Sequence, residues 1–455
     1  MISLYIDPGT GSMLFTIVIS AISAVVYLVR ILIIKLKNMA GIKSQNERNA
    51  KKIPIVMFSD NKRYWSTFRP ICEELEKRGQ KAVYLTASPD DQALESKFKN
   101  IKCEFIGEGN KAFAKMNMLN AGIVLSTTPS LDVFQWKRSK TVDCYVHILH
   151  ACGDITLYRL YGTDYYDVLL LSGEFQKDQV RELERQRGLP AKEIRMVGIP
   201  YLDTMLKHAN NYKRPDMGFT TVLLSPSWGA SSLLVKYGET LIDKLIETGY
   251  DIIIRPHPQS FTADKDTIDR LMAKYPETPK LHWNRDNNNF DVLARSDIMI
   301  SDYSGIMYDF AFIFNKPVIY TNAQFKKDPY DAWCIEGETW MLSTIRKIGK
   351  ELNKDNLEQI KELIDSCIRD SKETPMIKEA REETWCNIGK SAELTADYLI
   401  EKLKEIEGGG KKAEKTAKTA KTGKVRAANA NNATNASKNA KKANTAKGGK
   451  KGTKA

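Results

Sequence analysis

The chain has 455 residues, with 69 Lys plus Arg against 56 Asp plus Glu, and 42% hydrophobic and 9% aromatic residues. That length suits two or three globular domains, and that composition excludes a wholly disordered chain, a collagen-like repeat and a polytopic membrane protein. The formal charge of +13 sits in one place, because residues 411–455 hold 14 Lys or Arg and the single acid Glu414, leaving 55 charges of each sign elsewhere. The neutral remainder has no basic residues interwoven with groove-reading or aromatic motifs, so nucleic acid is not an expected partner. Seven Cys (Cys72, Cys103, Cys144, Cys152, Cys334, Cys367, Cys386) are scattered without a C-x-x-C pair, which suits a reducing compartment better than a disulfide framework or a zinc site.

The first predicted element is an anchor. No residue from Pro8 to Val29 is charged, and a helix of that run is about 33 Å long, enough to cross the hydrocarbon core. A cleaved signal peptide would carry its positive charges first. Here Asp7 precedes the run and Arg30, Lys35, Lys37 and Lys43 follow it, so the positive-inside rule places everything after it on the cytoplasmic side. The expected membrane span covers residues 8–36, single-pass in the cell membrane, with Lys35 and Lys37 reaching to the headgroups.

From Ile53 onward, short β-branched runs alternate with amphipathic stretches, the pattern of parallel sheets covered by helices. Strands are predicted at Ile53 to Ser59, Lys81 to Leu85, Gly122 to Ser126, Val142 to Leu149, Asp167 to Leu171 and Ile194 to Gly198. Helices are predicted at Arg63 to Arg78 and Glu174 to Gln186. Lys213, Arg214, Pro215 and Asp216 break the periodicity as a linker would. Strands then fit Thr220 to Ser225, Asp251 to Arg255, Asp297 to Ser301 and Pro317 to Tyr320, with helices at Leu233 to Glu247, Ser304 to Phe314 and Ser391 to Ile406. The economical fold class is α/β, two Rossmann-like domains facing a cleft, over residues 53–212 and 218–406; the linker argues against a single (β/α)8 barrel. Residues 408–455 read as a disordered Lys/Ala/Asn-rich tail. Its two glycosylation sequons, at Asn432 and Asn435, would lie on the wrong side of the membrane.

Ligands gather at the carboxyl ends of parallel strands, and three segments there hold chemistry-bearing residues. Arg255-Pro256-His257-Pro258 follows an apolar strand, and its two prolines fix how Arg255 and His257 leave it. Ser301-Asp302-Tyr303-Ser304-Gly305 opens a helix whose N-terminus suits a phosphate. His147-Ile148-Leu149-His150 ends a first-half strand; residues three apart on a strand point to opposite faces, so His150 is the one expected at the cleft. Asp264-Lys265-Asp266 spells the D-x-D of metal-dependent glycosyltransferases, but in a polar stretch entering a helix.

Together, Arg255-Pro256-His257-Pro258, Asp297-Ile298-Met299-Ile300-Ser301-Asp302-Tyr303-Ser304, Tyr308-Asp309-Phe310 and Lys316-Pro317-Val318 resemble the CDP-glycerol glycerophosphotransferase family of teichoic acid synthesis. Val197-Gly198-Ile199-Pro200-Tyr201-Leu202-Asp203 and Leu224-Ser225-Pro226-Ser227-Trp228 extend the likeness. The resemblance covers residues 53–403 and implies a GT-B fold, a CDP-glycerol or similar CDP-polyol donor, a lipid-linked or polymeric cell-envelope acceptor, and release of CMP. It implies His150 as the base. It places His257 beside His150 in the catalytic set, and donor contacts would fall to Arg255, Ser225, Ser227, Trp228, Ser301, Asp302, Ser304, Gly305 and Asp309, the last open equally to a ribose contact and to a structural role. The arrangement requires no cofactor, and a divalent metal stays open. Two departures stand out: the family's Trp-His-Gly-Thr followed by Lys is here Leu149-His150-Ala151-Cys152 without the Lys, and a serine is replaced by Gly305. Arg159 is a candidate for the missing positive charge. The alternatives are a GT-B enzyme acting on a nucleotide sugar and a non-catalytic GT-B scaffold.

Overall fold

Short β-branched runs bury both faces only when they pair side by side under helices, and this chain does so twice. The computed structural model describes residues 52–408 except 215–217, 287–288, 303 and 322–326, together with Val25 and Val29. The first sheet contains β1 (Ile53–Ser59), β2 (Ala82–Thr86), β3 (Ile101–Phe105), β4 (Asn120–Ser126), β5 (Thr141–Ile148), β6 (Val168–Leu171) and β7 (Glu193–Met196), in the order β3-β2-β1-β4-β5-β6-β7. The second contains β8 (Thr221–Leu224), β9 (Asp251–Ile254), β10 (Leu281–Trp283), β11 (Ile298–Ser301), β12 (Val318–Thr321) and β13 (Gly349–Leu352), in the order β10-β9-β8-β11-β12-β13. Every pairing is parallel. In each sheet the strand order reverses once, between β1 and β4 and between β8 and β11, and a crevice opens there at the carboxyl edge.

The strand period of two divides each core into two faces. Along β1, Ile55 and Met57 meet helix Trp65–Lys77, whereas Val56 and Phe58 meet Trp136 and Tyr145. Along β8, Leu223 joins helix Ile306–Phe314, and Val222 and Leu224 join helix Leu233–Glu247. Each large apolar side chain fully buried this way contributes about 1.5–3 kcal/mol. Two segments trade sides. Helix Pro200–Asn211 sends Leu202 and Met205 into the second half's core, and the helix of residues 391–408 returns to bury Ala396, Leu399 and Leu403 in the first.

The sequence of Val197-Gly198-Ile199-Pro200-Tyr201-Leu202-Asp203 follows from this exchange. Gly198 has φ +91°, and a side chain there would meet Ser391 Oγ and the carbonyl of Cys386. Pro200 opens its helix, where a missing N–H is harmless. Asp203 accepts the amides of Gly389 at 2.7 Å and Ser391 at 2.8 Å, capping the returning helix.

Ten of the thirteen strands lie where the periodicity predicts them, β1 and helix Leu233–Glu247 with the expected bounds. The three unpredicted strands, β3, β10 and β13, are all sheet edges, short or half-exposed, and carry no apolar run. The expected span, residues 8–36, lies outside the described residues except for Val25 and Val29, both helical and exposed, and the expected tail from residue 409 lies outside them too. Among the described residues no helix is long and apolar enough to cross a membrane.

Candidate active site

The first half presents its polar residues where β1, β4 and β5 end side by side. Asp60, Arg63 and Tyr64 follow β1, Thr127 and Thr128 follow β4, and His150 follows β5. His150 is partly buried, its Nδ1 lies 2.8 Å from Thr127 Oγ1, and its ring rests 4.7 Å from that of Tyr64. Burial, and then the charge of Arg63, push its imidazole down to about 4, so it is neutral at physiological pH. His147, three residues earlier, points into the interior as strand geometry requires. Its Nε2 lies 3.1 Å from the Tyr158 hydroxyl, its Nδ1 has no partner among the described residues, and burial pushes it down to about 3. Asp60 is pushed up by burial, opposed by the nearby Thr128 side chain and by the charge of Arg63, and its Oδ1 has no hydrogen-bond partner among the described residues.

The second half converges in the same way at the ends of β8, β9 and β11. Arg255 is 9% exposed; it donates to Asn284 Oδ1 and, at 2.8 Å, to the Asp286 carbonyl. A guanidinium has five N–H donors, so this grip leaves others for a ligand while fixing the fork. His257 is exposed, and its Nδ1 accepts the Gln259 amide at 3.1 Å, which places the proton of the neutral ring on Nε2. Burial, then Arg63, lower its pKa, and Asp302 raises it. Trp228, 49% exposed, lies beside it with ring centroids 6.4 Å apart.

Several predicted donor residues turn inward. Asp302 is 2% exposed and accepts the Ser227 amide at 2.6 Å and the Leu233 amide at 2.8 Å, so it shapes the loop that carries Ser227 and Trp228. Ser301 donates to the Ser225 carbonyl at 2.5 Å, and the Ser225 amide donates to Ile300, stitching β11 to β8. Asp264 of the D-x-D triplet accepts the Gly229 amide at 2.8 Å, steadying the same loop. Ser304 and Gly305 sit at the N-terminus of helix Ile306–Phe314, which has no side-chain cap. Gly305 has φ −59°, and a Cβ there would meet open space, so the residue leaves room above the helix end rather than relieving strain. Asp309 lies inside this helix; its Oδ1 has no partner among the described residues, and burial pushes the carboxyl up to about 7. The Cys152 thiol and the Tyr201 hydroxyl are raised first by burial and then by the charge of Asp309. Tyr303 lies outside the described residues.

Two buried carboxylates join the halves next to this site. Asp154, four residues after His150, accepts the amides of Trp340 and Met341 at 2.8 Å each, at the start of helix Trp340–Ile348. Asp331 accepts the amides of Tyr161 at 2.7 Å and Gly162 at 2.9 Å, and pairs with Arg187.

Residues 43–332 match the family described as CDP-Glycerol:Poly(glycerophosphate) glycerophosphotransferase. The chain belongs to this family. It is 23% identical over 284 residues to the teichoic acid glycerol-phosphate primase of Bacillus subtilis (strain 168), a match covering 55% of this chain and 70% of the primase. A structure of the wall teichoic acid polymerase TagF soaked with CDPG shares the fold, with TM-score 0.52 and 15% identity over 85% of this chain and 98% of that one. A UDP-GlcNAc 2-epimerase from Methanocaldococcus jannaschii has TM-score 0.49 and 15% identity over 77% of this chain and 99% of its own.

In this glycerophosphotransferase-family enzyme, much of the recognisable sequence is architecture. Lys316 donates to the carbonyls of Ala294, at 2.8 Å, and Ser296, and Tyr308 donates to the Met341 carbonyl at 2.7 Å. Sequence reasoning missed Thr127, Asn284 and Arg63, each adjoining a predicted residue; only their position just after a strand could have singled them out. Arg159, the expected source of positive charge, is exposed, and its backbone bridges to Tyr330, while the charge that reaches both histidines is that of Arg63.

Proposed function

We propose that the protein transfers glycerol phosphate, or a related polyol phosphate, from a CDP donor to a hydroxyl of a lipid-linked or polymeric cell-envelope acceptor, releasing CMP. The observation that carries this reading is that each sheet presents a histidine at its carboxyl edge. His150, whose Nδ1 lies 2.8 Å from Thr127 Oγ1, serves as the base for the acceptor hydroxyl, through Nε2 when its Nδ1–H donates to Thr127. His257, whose Nδ1 accepts the Gln259 amide, presents Nε2–H to a phosphate oxygen.

As the acceptor oxygen bonds to the phosphorus that bears glycerol, its proton passes to His150. The bond from that phosphorus to the bridging oxygen breaks, and the electron pair leaves with CMP. Arg255, His257 and the uncapped start of helix Ile306–Phe314 supply positive potential where the departing phosphate gathers charge. Ser304 and Ser227 stand at the rim of this region, and the exposed face of Trp228 suits stacking against the donor. Anchoring through residues 8–36 with the catalytic halves on the cytoplasmic side would hold the enzyme where a lipid-linked acceptor resides.

The test is CMP release by detergent-solubilised protein given CDP-glycerol and a membrane-lipid extract, with CDP-ribitol and UDP-GlcNAc arms. We expect turnover with a CDP-polyol and a fall of about 10²–10⁴-fold in both His150→Ala and His257→Ala. Turnover of UDP-GlcNAc alone would overturn the donor assignment in favour of nucleotide-sugar chemistry. Nucleotide binding without turnover in any arm, with a working transferase in the same extract, would favour the scaffold.

A further inference from the structure

Arg63 is an exposed guanidinium on the loop after β1. Of the other arginines of this half, Arg69, Arg78, Arg138, Arg181, Arg185, Arg187 and Arg195 hold carboxylates, Arg159 has no ion pair among the described residues, and the neighbouring Lys62 holds Asp90. Arg63 forms no ion pair among the described residues. Its Cζ lies 5.4 Å from the centre of the Tyr64 ring, and that ring lies 4.7 Å from the ring of His150. The loop is held from below: the Arg63 amide donates to Asn61 Oδ1 at 3.1 Å, and Ser66 donates to the Arg63 carbonyl at 3.1 Å. The base of the side chain is therefore fixed, and its guanidinium lies over the same Tyr64 ring that His150 rests against.

The charge of Arg63 makes two histidines harder to protonate and draws down the carboxyl of Asp60, but it is not ion-paired with that carboxyl, so its donors stay open to an arriving anion. Arg63 follows β1 where the strand order reverses, beside the ring that His150 rests against, and its charge bears on His257 as well, so an anion bound at that crevice meets it. We propose that Arg63 is a substrate-binding residue that grips the diphosphate of the nucleotide donor from the first half. This deepens the transferase reading and rests on it.

The test uses the full chain in detergent as parent, Arg63→Met, Arg63→Lys and, as a control on the same loop, Lys62→Met. Affinities for CDP and for cytidine are measured by calorimetry, beside CMP release from CDP-glycerol. A charge-assisted contact to phosphate corresponds to a loss of about 10- to 100-fold in Kd when removed. Arg63→Met is expected to lose that much for CDP and nothing for cytidine, with Arg63→Lys between it and the parent and Lys62→Met at the parent value. The acidic limb of the kcat/KM profile should move to higher pH in Arg63→Met and return in Arg63→Lys, because removing a cation eases protonation of His150. The other groups around that imidazole, His147, Tyr64, Tyr158 and Asp60, are unchanged in these variants, as is Asp302 beside His257. CDP affinity in Arg63→Met equal to the parent's, or an equal loss in Lys62→Met, would overturn the inference. If the parent binds CDP in an Arg63-dependent way but turns over no CDP-polyol, the transferase reading falls and the phosphate contact stands.

Discussion

Replacing Asp302 by alanine removes the acceptor for two buried backbone donors at once. The carboxylate takes the amides of Ser227 at 2.6 Å and Leu233 at 2.8 Å, and at 2% exposure its place is closed to bulk water. A hydrogen bond to a charged group contributes roughly 1.5–3 kcal/mol, so we predict that Asp302→Ala lowers the free energy of unfolding by about 3–5 kcal/mol. Asp302→Asn keeps one acceptor but turns an NH2 toward the second amide, and is expected to lose about 2–3 kcal/mol. The tethered loop carries Ser227 and Trp228, so CDP affinity should fall with stability. Removing this negative charge also lowers the His257 pKa further, since Asp302 is the neighbour that raises it. Urea unfolding followed by tryptophan fluorescence, paired with CDP calorimetry, reads both effects. Unfolding free energies within about 0.5 kcal/mol of the parent for both variants, the range of an ordinary surface change, would refute the reasoning.

Gly198→Ala is predicted to destabilise by at least about 2 kcal/mol, because the new Cβ is strained at φ +91° and meets both Ser391 Oγ and the Cys386 carbonyl; an unchanged melting temperature would contradict the packing described. Gly305→Ser should leave stability within about 0.5 kcal/mol, since φ is −59° and the space is open, and any loss should appear in KM for the donor. Asp309 gives a pH signature. Its folded carboxyl is raised to about 7 from an ordinary 3.8, so between those values the folded state binds the extra proton, and the stability it contributes is lost as pH rises toward and past 7. Asp309→Asn should therefore flatten the fall in stability between pH 5 and pH 8 measured by urea unfolding, and an unaltered slope would count against it.

The sheets were legible because burial on both faces forces apolar runs, and Ile53 to Ser59 or Asp251 to Arg255 could hardly be anything else. Three of the four edge strands escape that logic: β3 is Ile-Lys-Cys-Glu-Phe, with one buried residue, and its strand character comes from pairing with β2. At the site, His150, His257 and Arg255 were readable because proline and strand ends restrict where they can point. The inward turn of Asp302 was not readable, because a carboxylate after a strand serves a ligand and a neighbouring loop equally well until the loop's amides are located. Arg63 was hidden for the opposite reason. An arginine in an exposed loop is the commonest of surface residues, and only the fold brings it within reach of histidines 87 and 194 positions further along the chain.

The return of residues 391–408 to the first half sets an order of events during synthesis. Leu399 and Leu403 complete the face of the first sheet that also holds Ile55, Ile123 and Val146. The ribosome delivers them only after the whole second sheet, so the first half spends most of translation with an apolar face uncovered. The second half does not wait in the same way, since helix Pro200–Asn211 precedes its strands. A chain truncated before Ser391 and released should therefore hold a finished second half and a chaperone-dependent first half, and the helix of residues 391–408 is the element that closes the first.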